Sequence, residues 1–304
     1  MASESSIRAP VVGIRVRQRV LTQYWALTKP EISLLIAITV FVGFCFAQPR
    51  LIQSFPLLRL FHTLFGTLLV ASGSSTLNQF MERDFDARMR RTARRPLAAG
   101  SVEPYKALWF GILLSCGGGI YLVWKVNWLA SLLAILTLAS YLFLYTPLKR
   151  KTVLCTLIGA FPGAMPPLIG WAAESGKLSL GAWILYGMLF LWQFPHFMAI
   201  AWMYREDYDR AGYLVLPKGR GRRRFVAWHS LLPSLALIPL SLMPALLGYA
   251  GYFYLAGALL LSLGFSYEAA QLAFHRSNAV ARRLLLVSII YLPSVFLLML
   301  LDKN

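Results

Sequence analysis

Nine stretches of this chain are apolar for about as long as a lipid hydrocarbon core is thick, near residues 31–48, 56–80, 107–124, 127–146, 153–173, 180–204, 228–249, 251–273 and 280–301. About 20 apolar residues in a helix cross a bilayer. In lipid the backbone must satisfy its own hydrogen bonds, and segments of this length do so as helices. The expected fold is an all-α polytopic membrane bundle of nine helices. Composition agrees: 58% of residues are hydrophobic and 14% charged, against about a quarter charged in a soluble domain.

The formal charge of +18 would point a soluble protein toward nucleic acid. Its distribution excludes that reading, because it follows the membrane. With nine crossings, the N-terminal tail and the loops after helices 2, 4, 6 and 8 share one side, and they hold 25 of the 30 Lys and Arg. The positive-inside rule makes that side cytoplasmic, with the C-terminus outside. The domain reading is a cytoplasmic tail over residues 1–30, carrying Arg8, Arg15, Arg17 and Arg19, followed by one membrane domain over 31–304.

The first 30 residues are basic and polar, without the short apolar run and small-residue cleavage site of a secretory signal. The chain is expected to start at or near Met1 and to sit in a bacterial inner membrane. Cys45, Cys116 and Cys155 are isolated within predicted helices. They show no CxxC or Cys/His spacing, so neither a structural metal nor a disulfide framework is expected.

Two acidic runs break the pattern, each at the basic end of a helix: Asn78-Gln-Phe-Met-Glu82-Arg-Asp84-Phe-Asp86 after helix 2, and Arg205-Glu206-Asp207-Tyr-Asp209 after helix 6. They hold six of the twelve acids. If helix 2 persists through the first run, Ser74, Asn78, Glu82 and Asp86 are spaced by four and form one polar stripe. Asp84 points off that stripe but belongs to the candidate metal set as part of the run. Oxygen donors of this kind suit Mg²⁺, which takes one or two carboxylates and fills its shell with water and phosphate oxygens. The implied ligand is a diphosphate. Arg91, Arg95, Lys149 and Arg150 lie at the same face and are candidates to hold it, since arginine forks neutralise a leaving phosphate. The competing reading is a solvated loop of ordinary ion pairs; Asn78, with Gly73, Ser74, Ser75 and Thr76 leading inward from it, speaks against that, because polar groups at membrane depth face a cavity or a partner.

Helix 6 carries a second stripe. Gln193, His196, Ile200, Met203 and Asp207 fall within about 80° of one helical face. Trp192, Gln193 and Pro195 surround His196, and Pro195 removes a backbone donor there. His62, His229 and His275 have no comparable surroundings. A cationic, metal-assisted mouth above an apolar bundle suits an amphipathic donor with an anionic head and a long hydrocarbon tail.

These residues resemble the UbiA prenyltransferase superfamily. Leu27-Thr28-Lys29-Pro30 is similar to its LTKP opening, and the run from Asn78 to Leu97, ending Met89-Arg-Arg91-Thr92-Ala-Arg-Arg95-Pro96-Leu97, to its first Asp-rich motif and MxRTxxRP signature. Tyr145-Thr146-Pro147-Leu148-Lys149-Arg150 and Gly159 to Trp171 resemble the loop and helix that follow helix 4. Trp192-Gln193-Phe194-Pro195-His196-Phe197, Asp207-Tyr208 and Ala211-Gly212 through Leu216-Pro217 resemble the haem-type second motif, where quinone-type members have an Asp-rich one. Glu82 stands where Asp is common, and Cys155 where Asn is expected.

The resemblance implies nine helices around a central cavity and an Mg²⁺-dependent transfer of farnesyl from farnesyl diphosphate to a vinyl group of haem B, with addition of water, giving haem O. It implies catalytic roles for Asn78, Glu82, Asp86, His196 and Asp207. The metal set is Asn78, Glu82, Asp84, Asp86 and Asp207. Arg91, Arg95, Lys149 and Arg150 bind diphosphate, and Tyr145, Trp192, Gln193 and His196 bind substrate, His196 as an iron ligand or as a base. The rival readings are a quinone or other aromatic acceptor and, from another class, a haem or lipid transporter, for which inverted repeats or paired broken helices would be the sign. The expected partners are farnesyl diphosphate, haem B and the lipid bilayer, with no nucleic acid; the sequence names no protein partner.

Overall fold

The structure is a computed structural model and describes residues 20–48, 55–219 and 221–303. The tail arginines Arg8, Arg15, Arg17 and Arg19 therefore lie outside the described residues. Among those described, nine helices are long and apolar enough to cross a membrane: α1 Pro30–Ala47, α2 Leu57–Asp86, α3 Pro104–Lys125, α4 Trp128–Leu148, α5 Cys155–Ser175, α6 Leu180–Met203, α7 Gly221–Leu246, α8 Tyr252–His275 and α9 Asn278–Leu301. Residues 20–27 add a short helical segment before α1.

Local chemistry sets several of the ends. Pro30 and Pro104 open α1 and α3, where a missing N–H costs nothing. The Asn127 side chain caps α4 by accepting from the Ala130 N–H at 2.8 Å, and Ser277 caps α9 at Val280. Two helices run beyond their apolar cores. α2 continues to Asp86, as its polar stripe requires, and α7 begins at Gly221, seven residues before the apolar stretch, with Arg222, Arg223 and Arg224 in its first turn.

Lipid offers helices little hydrophobic drive to associate, so close packing through small residues decides which faces meet. α2 lies along α3 through Gly73, Gly111 and Gly118; a Cβ added at Gly73 would meet Ser115 Oγ at 2.2 Å and the Gly111 carbonyl at 2.7 Å. α1 and α5 approach as nearly bare backbone. A Cβ at Gly43 would lie 2.1 Å from the Pro167 oxygen, and one at Gly170 1.9 Å from the Val40 oxygen. Large apolar side chains such as Leu113, Ile120, Leu260 and Ile290 point outward, as expected for lipid-facing surface.

The contacts sort into two ends. Lys29–Asn78, Lys149–Glu82 and the Leu214 N–H to the Lys149 carbonyl lie at one end. At the other, the Lys303 amine donates to the Cys45 and Gln48 carbonyls, Gln48 meets Glu174, and Asn127 donates to the Ala172 carbonyl. Even-numbered helices therefore deliver their C-termini to the same end as the start of α1.

Candidate active site

α2 brings the first motif to the bundle interior. Asn78, Glu82 and Asp86 are buried, at 1%, 5% and 1% exposure, on consecutive turns of an intact helix. Each meets a cation or a fixed dipole. Asn78 Nδ2 donates to Thr146 Oγ1 at 3.2 Å while its Oδ1 accepts from Lys29 Nζ at 3.3 Å. Glu82 pairs with Lys149 at 2.8 Å, and Asp86 Oδ2 with Arg95 at 2.8 Å. Thr92 donates to the Asp86 carbonyl at 2.8 Å and folds the loop back so that Arg95 arrives where it is needed.

Lys29, Lys149 and Arg95 thus surround two carboxylates. Burial lowers the Lys29 pKa to about 7, with the Arg95 charge acting in the same direction. Burial also opposes the charge on Lys149, but Tyr145 and Glu82 more than offset it and hold Lys149 well above the usual lysine range. A pocket with this surplus of cations is electrostatically short of an anion.

Mg²⁺ fits the donor set. Asp86 Oδ1 is buried without a partner among the described residues, a free lone-pair oxygen next to the stripe. No group of three or more His, Cys, Asp or Glu gathers to hold a metal among the described residues. An ion here must take part of its shell from a ligand or from water, as Mg²⁺ does with phosphates.

α4 supplies the opposite wall. Residues 140–145 form a π-helical turn, a distortion frequent at functional sites. It places Tyr141 and Tyr145 with ring centroids 5.4 Å apart, and the Lys149 amine sits 4.5 Å from the Tyr145 centroid. Thr146, Arg150 and Tyr213 line a small crevice with Glu82 and Phe85, and Arg150 lies over the Phe85 ring at 4.7 Å.

The second motif departs from the expected stripe. α6 ends at Met203, followed by Tyr204 with a non-helical φ of −106° and ψ of 20°, and Asp207 belongs to a separate short helix, Arg205–Ala211. Just past the break, Arg205 donates to the Trp202 carbonyl and to Asn278 Oδ1, each at 2.7 Å, which ties the end of α6 to α9. The short helix docks on the first motif instead. Arg91 donates to Tyr208 Oη at 3.3 Å and lies over the Tyr204 ring, and Met89, Ala211 and Tyr213 form one apolar cluster. Asp207 is 9% exposed and paired with Arg210 at 3.1 Å.

Asp84 does not join the cluster. Its side chain is 72% exposed and lies 3.8 Å from Arg83, as its place off the four-residue spacing dictates. Gln193 is buried and donates to the Ala160 carbonyl at 3.1 Å, filling the gap left by Gly163; it joins α6 to α5. Trp192 stacks on His196 at 4.7 Å and donates to the Ser288 carbonyl. His196 Nδ1 lies 2.7 Å from Ser288 Oγ.

Lys29 and Tyr213 complete the cluster and were not among the expected site residues. Lys29 had a signal in its place within LTKP. Tyr213 is 4% exposed, and its hydroxyl lies beside Glu82.

The bundle and its cationic mouth define a membrane-embedded prenyltransferase. The chain belongs to the UbiA prenyltransferase family, whose model matches residues 36–292. It is 48% identical over 289 residues to a protoheme IX farnesyltransferase of Solibacter usitatus, covering 93% of this chain and 99% of that one. Among solved structures, a digeranylgeranylglyceryl phosphate synthase superposes with a TM-score of 0.74 at 19% identity, covering 93% of this chain and 98% of that chain. A UbiA homologue from Archaeoglobus fulgidus bound to DMAPP and Mg²⁺ gives 0.57 at 16% identity, over 91% of this chain and 99% of that chain. At such identities the structural likeness speaks for the fold.

Proposed function

We propose that the protein transfers the farnesyl group of farnesyl diphosphate to a vinyl group of haem B, with addition of water, and so makes haem O. The observation that carries this reading is the 48% identity, sustained over 93% of the chain, to a relative named for that reaction. The buried stripe of Asn78, Glu82 and Asp86, faced by Lys29, Lys149 and Arg95, supports the diphosphate end of it.

Asn78, Glu82 and Asp86, with Asp207 presented by the docked short helix, would hold Mg²⁺. Bound there, it would neutralise diphosphate charge as the allylic C–O bond breaks. The Archaeoglobus homologue, which carries Mg²⁺ with a prenyl diphosphate, supports this choice of ion. Lys149, Arg95, Arg91 and Arg150 receive the leaving diphosphate. Glu82 and Asp86 keep Lys149 and Arg95 aimed inward until it arrives. The aromatic wall of Tyr141 and Tyr145 excludes water and offers π-faces to the allylic cation. The vinyl carbon attacks C1 of that cation; water adds to the resulting haem-side cation and loses its proton, which completes the hydroxyethylfarnesyl group. His196 and Trp192 face the acceptor, and Gln193 fixes the helix that carries them.

We assign the mouth of the bundle to the cytoplasm and the chain to a bacterial inner membrane; the orientation is supported by the sequence segments predicted on that side, which hold 25 of the 30 Lys and Arg. The deciding experiment incubates purified protein with haem B, farnesyl diphosphate and Mg²⁺, with and without chelator, and analyses the extracted haem by mass spectrometry. A chelator-sensitive hydroxyethylfarnesyl adduct is expected. Released diphosphate with unchanged haem would move the acceptor to another aromatic compound.

A further inference from the structure

His196 is held on three sides. Trp192 stacks on its ring with an interplanar angle of 24°, and Phe197 lies at 5.7 Å. Ser288 Oγ, on α9, meets Nδ1 at 2.7 Å. The indole N–H of Trp192 donates to the carbonyl of the same serine at 2.9 Å, so stacking ring and hydroxyl are fixed by one residue.

The proton positions follow from the oxygens. Ser288 Oγ lies 2.6 Å from the Leu285 carbonyl oxygen. Two oxygens approach that closely only with a proton between them, and a carbonyl has none to give. The single hydroxyl proton therefore goes to Leu285, which leaves Ser288 Oγ only lone pairs to offer His196. Nδ1 must carry the hydrogen. In a neutral imidazole, Nε2 then bears a lone pair, and the contact of the ring with Ser288 runs through Nδ1.

We infer that Ser288 is a positioning residue that locks His196 as the Nδ1–H tautomer and presents Nε2 to the iron of haem. The inference rests on the reading that haem B is the acceptor. A histidine whose second nitrogen donates to a fixed oxygen is the usual arrangement of a metal-ligating imidazole, since the hydrogen bond sets both tautomer and ring plane. Ser288 is fully buried, so its hydroxyl has no competing water.

Two readouts test this. In the first, ¹⁵N-histidine is incorporated into ligand-free protein, and the His196 signals are identified among those of the four histidines by their loss in His196→Gln. A protonated Nδ1 and an unprotonated Nε2 are expected, with mixed tautomers in Ser288→Ala and the wild-type pattern in Ser288→Thr, which keeps the hydroxyl. An Nε2–H tautomer in the wild type, or a spectrum unchanged by Ser288→Ala in a protein that elutes normally, overturns the inference. In the second, ferric haem B is titrated and followed by its Soret band and EPR. Wild-type protein should show an imidazole-ligated iron, His196→Ala should lose that signature, and Ser288→Ala should bind about 10- to 100-fold more weakly. Identical spectra for wild type and His196→Ala overturn the iron contact while leaving haem as acceptor intact. No haem binding at all overturns both the iron contact and the proposed acceptor, while the tautomer result stands on its own.

Discussion

Asn78 does two things at once: its carbonyl oxygen receives the Lys29 ammonium and its amide holds Thr146 on α4. Asn78→Ala takes the Oδ1 acceptor away from buried Lys29 and removes one oxygen donor of the stripe. Turnover should fall by at least about 100-fold, with the circular dichroism spectrum unchanged. Arg95→Ala strands Asp86, whose other oxygen already lacks a partner. Its expected effect is about 100-fold on kcat/KM, with part of the loss recovered by Arg95→Lys, because one of the functions lost is simple charge. The stripe was legible in the sequence because polar donors four apart on an apolar helix share one face, and at membrane depth that face must meet a cavity or a partner. The pairing of Lys29 with Asn78, 49 residues away, and of Ser288 with His196, 92 away, was not, since tertiary proximity leaves no mark on local spacing. Asp84 shows the converse. It shares the acidic run, but helical geometry turns it to solvent.

Helix termini and crossings decided what the motifs could do. The persistence of α2 to Asp86, beyond its apolar stretch, was the condition on which the polar stripe rested, and the helix meets it. The break at Tyr204 was not legible: the stripe through Asp207 assumes one continuous helix, whereas Asp207 lies on a separate short helix, and the contact of Arg205 with Asn278 across the break is tertiary. Nor does sequence reveal which glycines are contacts. Gly170 meets the Val40 oxygen and Gly117 meets nothing within 4 Å, yet both sit inside apolar helices. Gly170→Ala must push α1 and α5 apart, at a cost of about 1–3 kcal/mol or more, and should lower the thermal midpoint in detergent sharply. Gly117→Ala gains about 1 kcal/mol of helix propensity and meets no obstacle, so its midpoint should rise or stay level. Equal effects at the two positions would refute the packing assignment.

On the scale of the whole molecule, an odd number of crossings separates the two ends in chemistry as well as in space. Glu82, Asp86, Lys149 and the short helix meet at one end. The other is closed by Lys303, Asp302 and Glu174, with Asp302 accepting from the Tyr254 N–H at 2.6 Å. The alternation of basic loops had indicated this sorting, since a single missed helix would have scattered later arginines to both sides. Orientation is the remaining variable, and the basic end should face the cytoplasm because Lys and Arg are retained on the side where synthesis occurs. Glu103 and Lys177 report on the two ends, being exposed in the loop before α3 and the loop before α6. In whole cells treated with a membrane-impermeant thiol reagent, Lys177→Cys should be labelled and Glu103→Cys should react only after permeabilisation. The native thiols give a low background, because Cys45 and Cys155 are buried and Cys116 lies within the α3 span. The opposite labelling pattern would place the diphosphate mouth outside, where its arginines would have had to cross the membrane, and would reverse the proposed side of substrate delivery.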